Sequence, residues 1–500
     1  MSHSRMSATR ALIREAQADG IKLWVAENRL HFKATRGELS ESLRSRLRSS
    51  IADLTGELSR LVVRRRPRTD NVLRFPDLWL DFWQELQSNL TLANSTHAVL
   101  RLSGSVSSEA IAAALRTLCR RHELLGARMR LQDGVPCLFF AEEPVVAAEF
   151  VDLTAAAGAR CEEQTKIIER AIWTPLENGA VFRACVVRIS SQDRVVVFVV
   201  HHFVSDFTSC QILARELLEM LRGNAHAGPP QTAPVQYFEY MSALNEWLTG
   251  PGPAYRLAYW SEQLREAPQT SLPVAAGAGA SSGALDAVNF RIESALRNQM
   301  AERAAAWGVT VADMTLAAHF LALAQVTGRS DLLTVMITSG REDPSLARMV
   351  GSTIDCLPIR VHVLPDMTSR ELVQQAHTSS SLARHYRVPW SLLTRTLERT
   401  GTRCAAPLFN FIRGSGELPP KQFIEAHSSD MAGLRVGRPP EQAGVDWKTH
   451  QLDVFDSGDA LFGSLQYDPA RHPREAVAAL REALLQSLEK LVRAGEMTDP

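Results

Sequence analysis

The spacing of apolar residues changes several times within the first sixty positions. Residues 9–18 place Leu12, Ile13 and Ala16 on one side, which predicts a short amphipathic helix ended by Asp19-Gly20. Ile21 to Val25 and Arg29 to Lys33 then alternate apolar and polar residues around a short polar loop, the pattern of a β-hairpin. Helical spacing returns at about 38–48 and 50–62. A basic, proline-broken run, Arg64-Arg65-Arg66-Pro67-Arg68-Thr69-Asp70, follows and reads as a solvated connector. From about residue 72 helical and strand patterns alternate to the end, so the main body is α/β. Residues 107–123 predict a helix with Ile111, Ala114, Leu115 and Leu118 inward. Val195 to Val200 is an unbroken apolar, β-branched run, expected as a buried strand. A second half begins near 285, with strands at Val288–Ile292 and Leu333–Ile337, helices over about 294–326, and a last helix over 473–493. Residues 274–284, rich in Gly and Ala, read as a flexible surface connection. The expected organisation is a small α+β domain at 1–68, a first half at 69–250 and a second half at 251–500.

Composition adds little until it is divided. The 500 residues carry 55 basic and 55 acidic side chains, with 45% hydrophobic residues, which suits a protein with a large core. A net charge of zero argues against nucleic acid as the partner of the whole chain. Residues 1–68, however, hold 15 Lys and Arg against 7 Asp and Glu, and the remainder holds 40 against 48. The basic excess includes Lys22, Arg29, Lys33 and Arg36, on or beside the hairpin, and a hairpin edge can accept a peptide strand. The first domain is therefore expected to dock an acidic peptide. Seven cysteines lie scattered without a CxxC pair, which predicts reduced, mostly buried thiols of a cytoplasmic protein. No run of about 18 apolar residues suggests a membrane span, and the N-terminus shows no secretory h-region.

Chemistry concentrates at His201-His202-Phe203-Val204-Ser205-Asp206-Phe207. The two histidines end the buried strand. The helix that follows carries Cys210, Leu213, Ala214, Leu217, Leu218 and Leu221 on one face, with Ser205 or Asp206 at its N-cap position. An imidazole here can take a proton from, or hold, an attacking amine or hydroxyl. Adjacent side chains of an extended backbone point to opposite faces, so one histidine is expected to face the reaction and the other to support the turn. Asp206 could order the turn by pairing with a distant arginine. No Gly-x-Ser-x-Gly elbow or cysteine suggests a covalent nucleophile, and no third ligand with zinc spacing stands nearby. Two structural histidines beside an N-cap aspartate are the alternative.

These residues resemble a known family. HHxxxD after a buried strand is similar to the HHxxxDG motif of condensation domains from nonribosomal peptide synthetases. Arg121-His122-Glu123-Leu124-Leu125 matches the family's RHExLR, with Gly126 in place of the arginine. Trp173-Thr174-Pro175-Leu176, Gln236-Tyr237 through Tyr259-Trp260, Gly340-Arg341, Val350-Gly351 and Leu357-Pro358-Ile359-Arg360 follow in the family's order. The resemblance covers nearly all of residues 72–495. The segment GIKLWVAENRLHFKATRGELSESLRSRL resembles the β-hairpin docking domains at the start of some synthetase subunits, which bind acidic tails.

The resemblance implies a V-shaped pseudo-dimer of two halves, each like chloramphenicol acetyltransferase, with the site in a tunnel between them. It implies His202 as the catalytic residue, His201 and Asp206 as structural, and Arg341 as the candidate partner of Asp206. No bound cofactor is expected, since phosphopantetheine arrives on a partner acyl or peptidyl carrier protein. Phe207 stands where the family has glycine and narrows the candidate acceptor pocket. The histidines argue against a cyclisation domain, and the second histidine against a recruitment domain. Without an adenylation region or carrier motif, the chain reads as a free-standing enzyme. It is expected to off-load a polyketide or peptide chain from an acidic-tailed carrier to a soluble alcohol or amine, an ester being placed ahead of an amide. A non-catalytic recruitment scaffold and a CoA-dependent acyltransferase are the rival readings.

Overall fold

The computed structural model describes residues 3–26, 29–34, 39–80, 82–84, 95–141, 148–154, 163, 166–167, 170, 176, 178–222, 233–274, 286–399, 401, 406–414 and 448–493. Helix α1 (His3–Ala18) leads into the hairpin β1 (Ile21–Ala26) and β2 (Arg29–Ala34), followed by α2 (Glu41–Ser49) and α3 (Ile51–Leu58). Ser40 caps α2 by accepting from Leu43 N at 3.2 Å, which satisfies one of the helix's free donors. Leu12, Ile13, Ala16, Ile21, Leu43, Leu47 and Leu54 form a core separate from the rest of the protein. The helix 50–62 expected from spacing stops at Leu58, because Ser59 turns to extended backbone. Its carbonyl receives Trp247 Nε1 from the main body at 3.2 Å.

The first half follows with β3 (Val72–Arg74), β4 (Ser95–Ser103), α4 (Ser108–Arg121), β5 (Arg128–Gln132), β6 (Val135–Phe139), β7 (Ala148–Asp152), β8 (Phe182–Arg188), β9 (Asp193–His201) and α5 (Phe207–Leu221). One sheet has the order β4-β9-β8-β7, and a smaller one β3-β6-β5. The unbroken apolar run of β9 has a simple origin. Val196, Phe198 and Val200 enter the main core, while Val195, Val197 and Val199 enter a second cluster with Val99, Cys185 and Val187. Both faces of the strand are covered, so neither tolerates a polar residue. Leu218 and Leu221 of α5 are only half-buried, the rest of its apolar stripe being inside.

Two helices, α6 (Tyr237–Leu248) and α7 (Pro251–Gln263), lead to the second half. There β10 (Asp286–Ile292), α8 (Ser294–Trp307), α9 (Val311–Thr327), β11 (Asp331–Thr338), β12 (Asp355–His362), α10 (Ser369–His385), α11 (Trp390–Arg399), β13 (Ala406–Arg413), β14 (Lys448–Asp456), β15 (Leu461–Tyr467) and α12 (Arg474–Arg493) build a six-stranded sheet. Its order is β10-β15-β14-β13-β11-β12. The connection expected at 274–284 lies outside the described residues beyond Val274. Among the described residues, no single helix is long and apolar enough to cross a membrane. Of the cysteines, 119, 137, 185, 210 and 356 are free thiols, and the first four are buried. Cys161 and Cys404 lie outside the described residues.

The basic run before residue 70 differs from the solvated connector its composition suggests. Arg65 donates to the carbonyl of Ala233 at 3.0 Å and to that of Pro234, and it faces Glu239 at 3.5 Å. Arg66 donates its backbone N–H to Glu239 at 2.8 Å and its side chain to Glu246 at 2.9 Å. Arg68 pairs with Glu123 at 3.0 Å and covers the Phe140 ring at 4.8 Å. The run is a strap fastened to acidic residues of α6 and the α4–β5 turn. These glutamates lie 55 to 180 positions away, which local composition cannot reveal.

Candidate active site

Strand β9 delivers the two histidines to its C-terminal end, where the chain makes a single 3₁₀ turn, His202–Val204, before α5. His201 Nδ1 accepts from Phe203 N at 3.2 Å, so the remaining proton of a neutral ring is on Nε2. Trp83 stacks on this ring, with centroids 6.0 Å apart. His202 has the opposite arrangement. Its Nδ1 lies 3.0 Å from the carbonyl oxygen of Ser205, which can only accept, so Nδ1 carries the proton and Nε2 holds the lone pair. Phe82 meets the His202 ring edge-on at 6.2 Å. Both imidazoles keep some accessible surface, yet protein atoms crowd round them, as in the wall of a recess. Burial pushes His201 down to about 4, helped by the neighbouring His202. Burial also lowers His202 from the usual imidazole value, partly offset by the Ser205 carbonyl and Asp206. Both shifts favour the neutral rings.

Asp206 is the N-cap of α5 and accepts from Ser209 N at 2.7 Å and Ser209 Oγ at 2.6 Å. Arg341, from the loop after β11, donates Nη2 to both carboxylate oxygens at 3.0 Å. Only 2% of the Asp206 side chain and 5% of the Arg341 side chain are accessible. The guanidinium also donates to the carbonyls of Leu346, Met349 and Gly351, at 2.8, 2.7 and 2.7 Å. Thr353 N reaches Asp206 at 3.3 Å. The helix that follows the histidine turn is thus stitched to the second half by a buried ion pair. Gly351 lets Tyr237 approach, since a Cβ there would run into the tyrosine ring.

Arg121 and His122 have a role of their own. They meet Glu216 of α5 at 3.0 and 2.8 Å, and Arg348 of the second half reaches the same carboxylate at 3.2 Å. Glu216 is held below the usual carboxylate range; burial opposes this, and His122 and the arginines prevail. Phe207, the first residue of α5, meets Phe455 of β14 edge-on at 6.4 Å. It therefore fills space between the halves beside the histidine turn. Sequence reasoning missed Phe82, Trp83, Ser209, Thr353 and Glu216. None of them carries a local signal: Glu216 shares its helix with Arg215 and Glu219, and only the structure shows that it is the buried one of the three.

The hairpin places Lys22 opposite Lys33 and Trp24 opposite His31, and the second pair stacks at 5.6 Å. Lys22, Arg29, Lys33, Trp24 and His31 are all exposed. Alternation puts them on one face. Like charges directly opposite each other are unfavourable, so this face favours an anion. Arg36 lies outside the described residues, as do Trp173, Thr174 and Pro175 of the matched stretch.

Comparison with known proteins agrees with this architecture. Residues 82–496 match the condensation domain family and residues 10–55 the TubC N-terminal docking domain. A linear gramicidin synthase protein of Brevibacillus parabrevis is 26% identical over 470 residues, covering 91% of this chain but only 9% of that synthase. In fold, the chain is similar to a condensation domain that mediates chain release from the enacyloxin polyketide synthase. The TM-score is 0.68 at 22% identity, with both chains covered in full. It is likewise similar to the EpoB cyclization-docking bidomain of Sorangium cellulosum, with a TM-score of 0.66 at 15% identity over 98% of this chain and 99% of the other. The two-halved, chloramphenicol-acetyltransferase-like α/β fold and the small docking domain before it are those of this group. With its family match running from residue 82 across the histidine-bearing strand and through both halves, the chain belongs to the condensation domain family, whose members are acyltransferases acting on carrier-protein-bound substrates.

Proposed function

We propose that this chain moves an acyl group from a carrier protein's phosphopantetheine thioester to a soluble alcohol or amine, releasing an ester or amide. The observation that carries the reading is the 3.0 Å contact of His202 Nδ1 with the Ser205 carbonyl oxygen. With Nδ1–H bound to Ser205, Nε2 presents a lone pair that makes no hydrogen bond to the described residues. An acceptor O–H or N–H donates to this nitrogen while its heavy atom attacks the thioester carbonyl carbon. The tetrahedral intermediate collapses, the C–S bond breaks, and the proton held by His202 passes to the departing pantetheine sulfur. Ester or amide and free thiol are the products, and the imidazole is neutral again.

Phe207 favours a compact acceptor over a second carrier-bound chain, because its ring stands beside the turn that carries His202. The exposed lysine pair on the hairpin supports recruitment of the upstream carrier through an acidic C-terminal tail. Tethering of that kind raises the local donor concentration.

Intact-mass analysis of an acylated, acidic-tailed carrier incubated with a panel of alcohols and amines tests the reading. Acceptor-dependent unloading with matching ester or amide is expected for the wild type, and a fall of about 10²–10⁴-fold for His202→Ala with unchanged thermal stability. Unloading at the uncatalysed rate across the panel, or an unaffected alanine variant, refutes it. Turnover with acyl-CoA at the same rate as with the carrier favours the CoA-dependent alternative.

A further inference from the structure

Helix α3 of the first domain carries a buried glutamate that the chemistry above does not use. Glu57 Oε1 accepts from Arg10 Nε of α1 at 3.0 Å and from His385 Nε2 at the end of α10 at 2.7 Å. Its second oxygen accepts from Tyr386 O–H at 3.2 Å. The Arg10 guanidinium also covers the Tyr386 ring at 4.7 Å. One carboxylate thus joins two helices of the first domain to two consecutive residues of the second half. Burial would raise its pKa, but His385 and then Arg10 outweigh this and hold Glu57 at about 2.

The contacts around it are close. Tyr255 of α7 lies against Gly56, where an added Cβ would sit 2.6 Å from the tyrosine Cβ. Arg256 bridges the Arg387 carbonyl at 2.8 Å and the Ser59 carbonyl at 3.5 Å, stacked on Trp247 at 4.9 Å. Trp260 Nε1 donates to the Tyr386 carbonyl at 2.8 Å. Residues 385–387 are therefore held from both sides, by the first domain and by α7. The hairpin module is thus packed and hydrogen-bonded against the main body.

We propose that Glu57 is a positioning residue, locking the hairpin module at one orientation so that a carrier captured by its tail is presented to the site at a fixed place. The inference rests on the tail-docking reading above. An unlocked module would still bind the tail but would hold the carrier over a larger volume, lowering its effective concentration.

The test uses the full chain and one acyl carrier protein loaded with a hexanoyl group, with and without an acidic C-terminal peptide. Initial rates are taken by intact mass with an acceptor that the wild type uses. The tail is expected to raise wild-type kcat/KM by roughly 10²-fold. Glu57→Gln and His385→Ala should cut that advantage about tenfold through KM, with the tail-less rate and the affinity for the isolated tail peptide unchanged. His385→Gln, which can still donate near the Nε2 position, should restore it. An advantage that survives at full size in Glu57→Gln overturns the inference alone. Equal losses with both carriers also overturn it, since they mark a purely structural role. Absence of any tail advantage in the wild type overturns it together with the tail-docking reading.

Discussion

Replacing Asp206 with asparagine separates the charge of the inter-half bridge from its geometry. Asparagine caps helices about as well as aspartate, so the bond from Ser209 N at 2.7 Å can persist. What disappears is the negative charge facing Arg341, whose other acceptors are Ser209 Oγ and the carbonyls of Leu346, Met349 and Gly351. Those dipoles soften the loss without replacing the charge. Breaking a buried pair by removing one partner costs about 3–5 kcal/mol, and the retained carbonyls place the expectation near the lower figure. Unfolding entropy of about 2.1 cal/mol/K per residue gives roughly 1 kcal/mol/K for a chain of 500 residues. The melting temperature should then fall by about 3 °C. Scanning calorimetry at several scan rates is the assay, since a protein of this size can unfold irreversibly. Arg341→Met and the double variant complete a cycle, and the double variant should be more stable than the two single losses add up to. A loss below about 1 °C, or strict additivity, would refute the argument that this charge pair couples the halves.

Three further outcomes follow from the same geometry. Phe207→Gly should open the space between α5 and Phe455 and shift acceptor preference toward bulkier alcohols and amines; competition between acceptors of graded size measures it, and an unchanged ranking counts against an acceptor-side role. Lowering of the His202 pKa by burial means that the base form persists on the acid side of pH 6.5, the ordinary imidazole value. The acid limb of the kcat/KM profile should therefore lie below that pH, and a limb above it contradicts the assigned environment. Reversing Lys22 and Lys33 to glutamate should weaken binding of an acidic tail peptide by at least tenfold, on the order of 1.4 kcal/mol. It should also flatten the salt dependence seen in calorimetry, and a peptide that binds the reversed hairpin equally well places the tail elsewhere.

Local pattern was enough for the hairpin, for β9 and for α5, because each signals itself within a few residues. Alternation marks Ile21 to Lys33, two-sided burial gives the unbroken run in β9, and the apolar stripe after Asp206 announces the helix. The histidine turn was legible for the same reason. The aromatic wall of Phe82 and Trp83 was not, since nothing in those residues distinguishes an imidazole-facing ring from a core ring. Glu216 and Glu57 were also missed. Their partners come from distant parts of the chain, and an acid in a helix reads as solvated until the opposing cation is known. The arginine strap shows the same limit: charge density was visible, and the carboxylates that absorb it were not.

That strap bears on how such proteins can be recombined. Arg65, Arg66 and Arg68 each occupy a particular acceptor on the body, so the segment has a register as a strand does. A foreign hairpin domain grafted at residue 68 would bring unmatched residues to Glu239, Glu246 and Glu123, and one inserted residue would displace all three. A chimera should therefore be joined between α3 and the strap, leaving the strap and its acceptors as one inherited unit, because Leu54 of α3 shares the small core with Leu12, Ile13 and Leu43. The transferable address is then the whole of α1 to α3, while the strap behind it belongs to the enzyme.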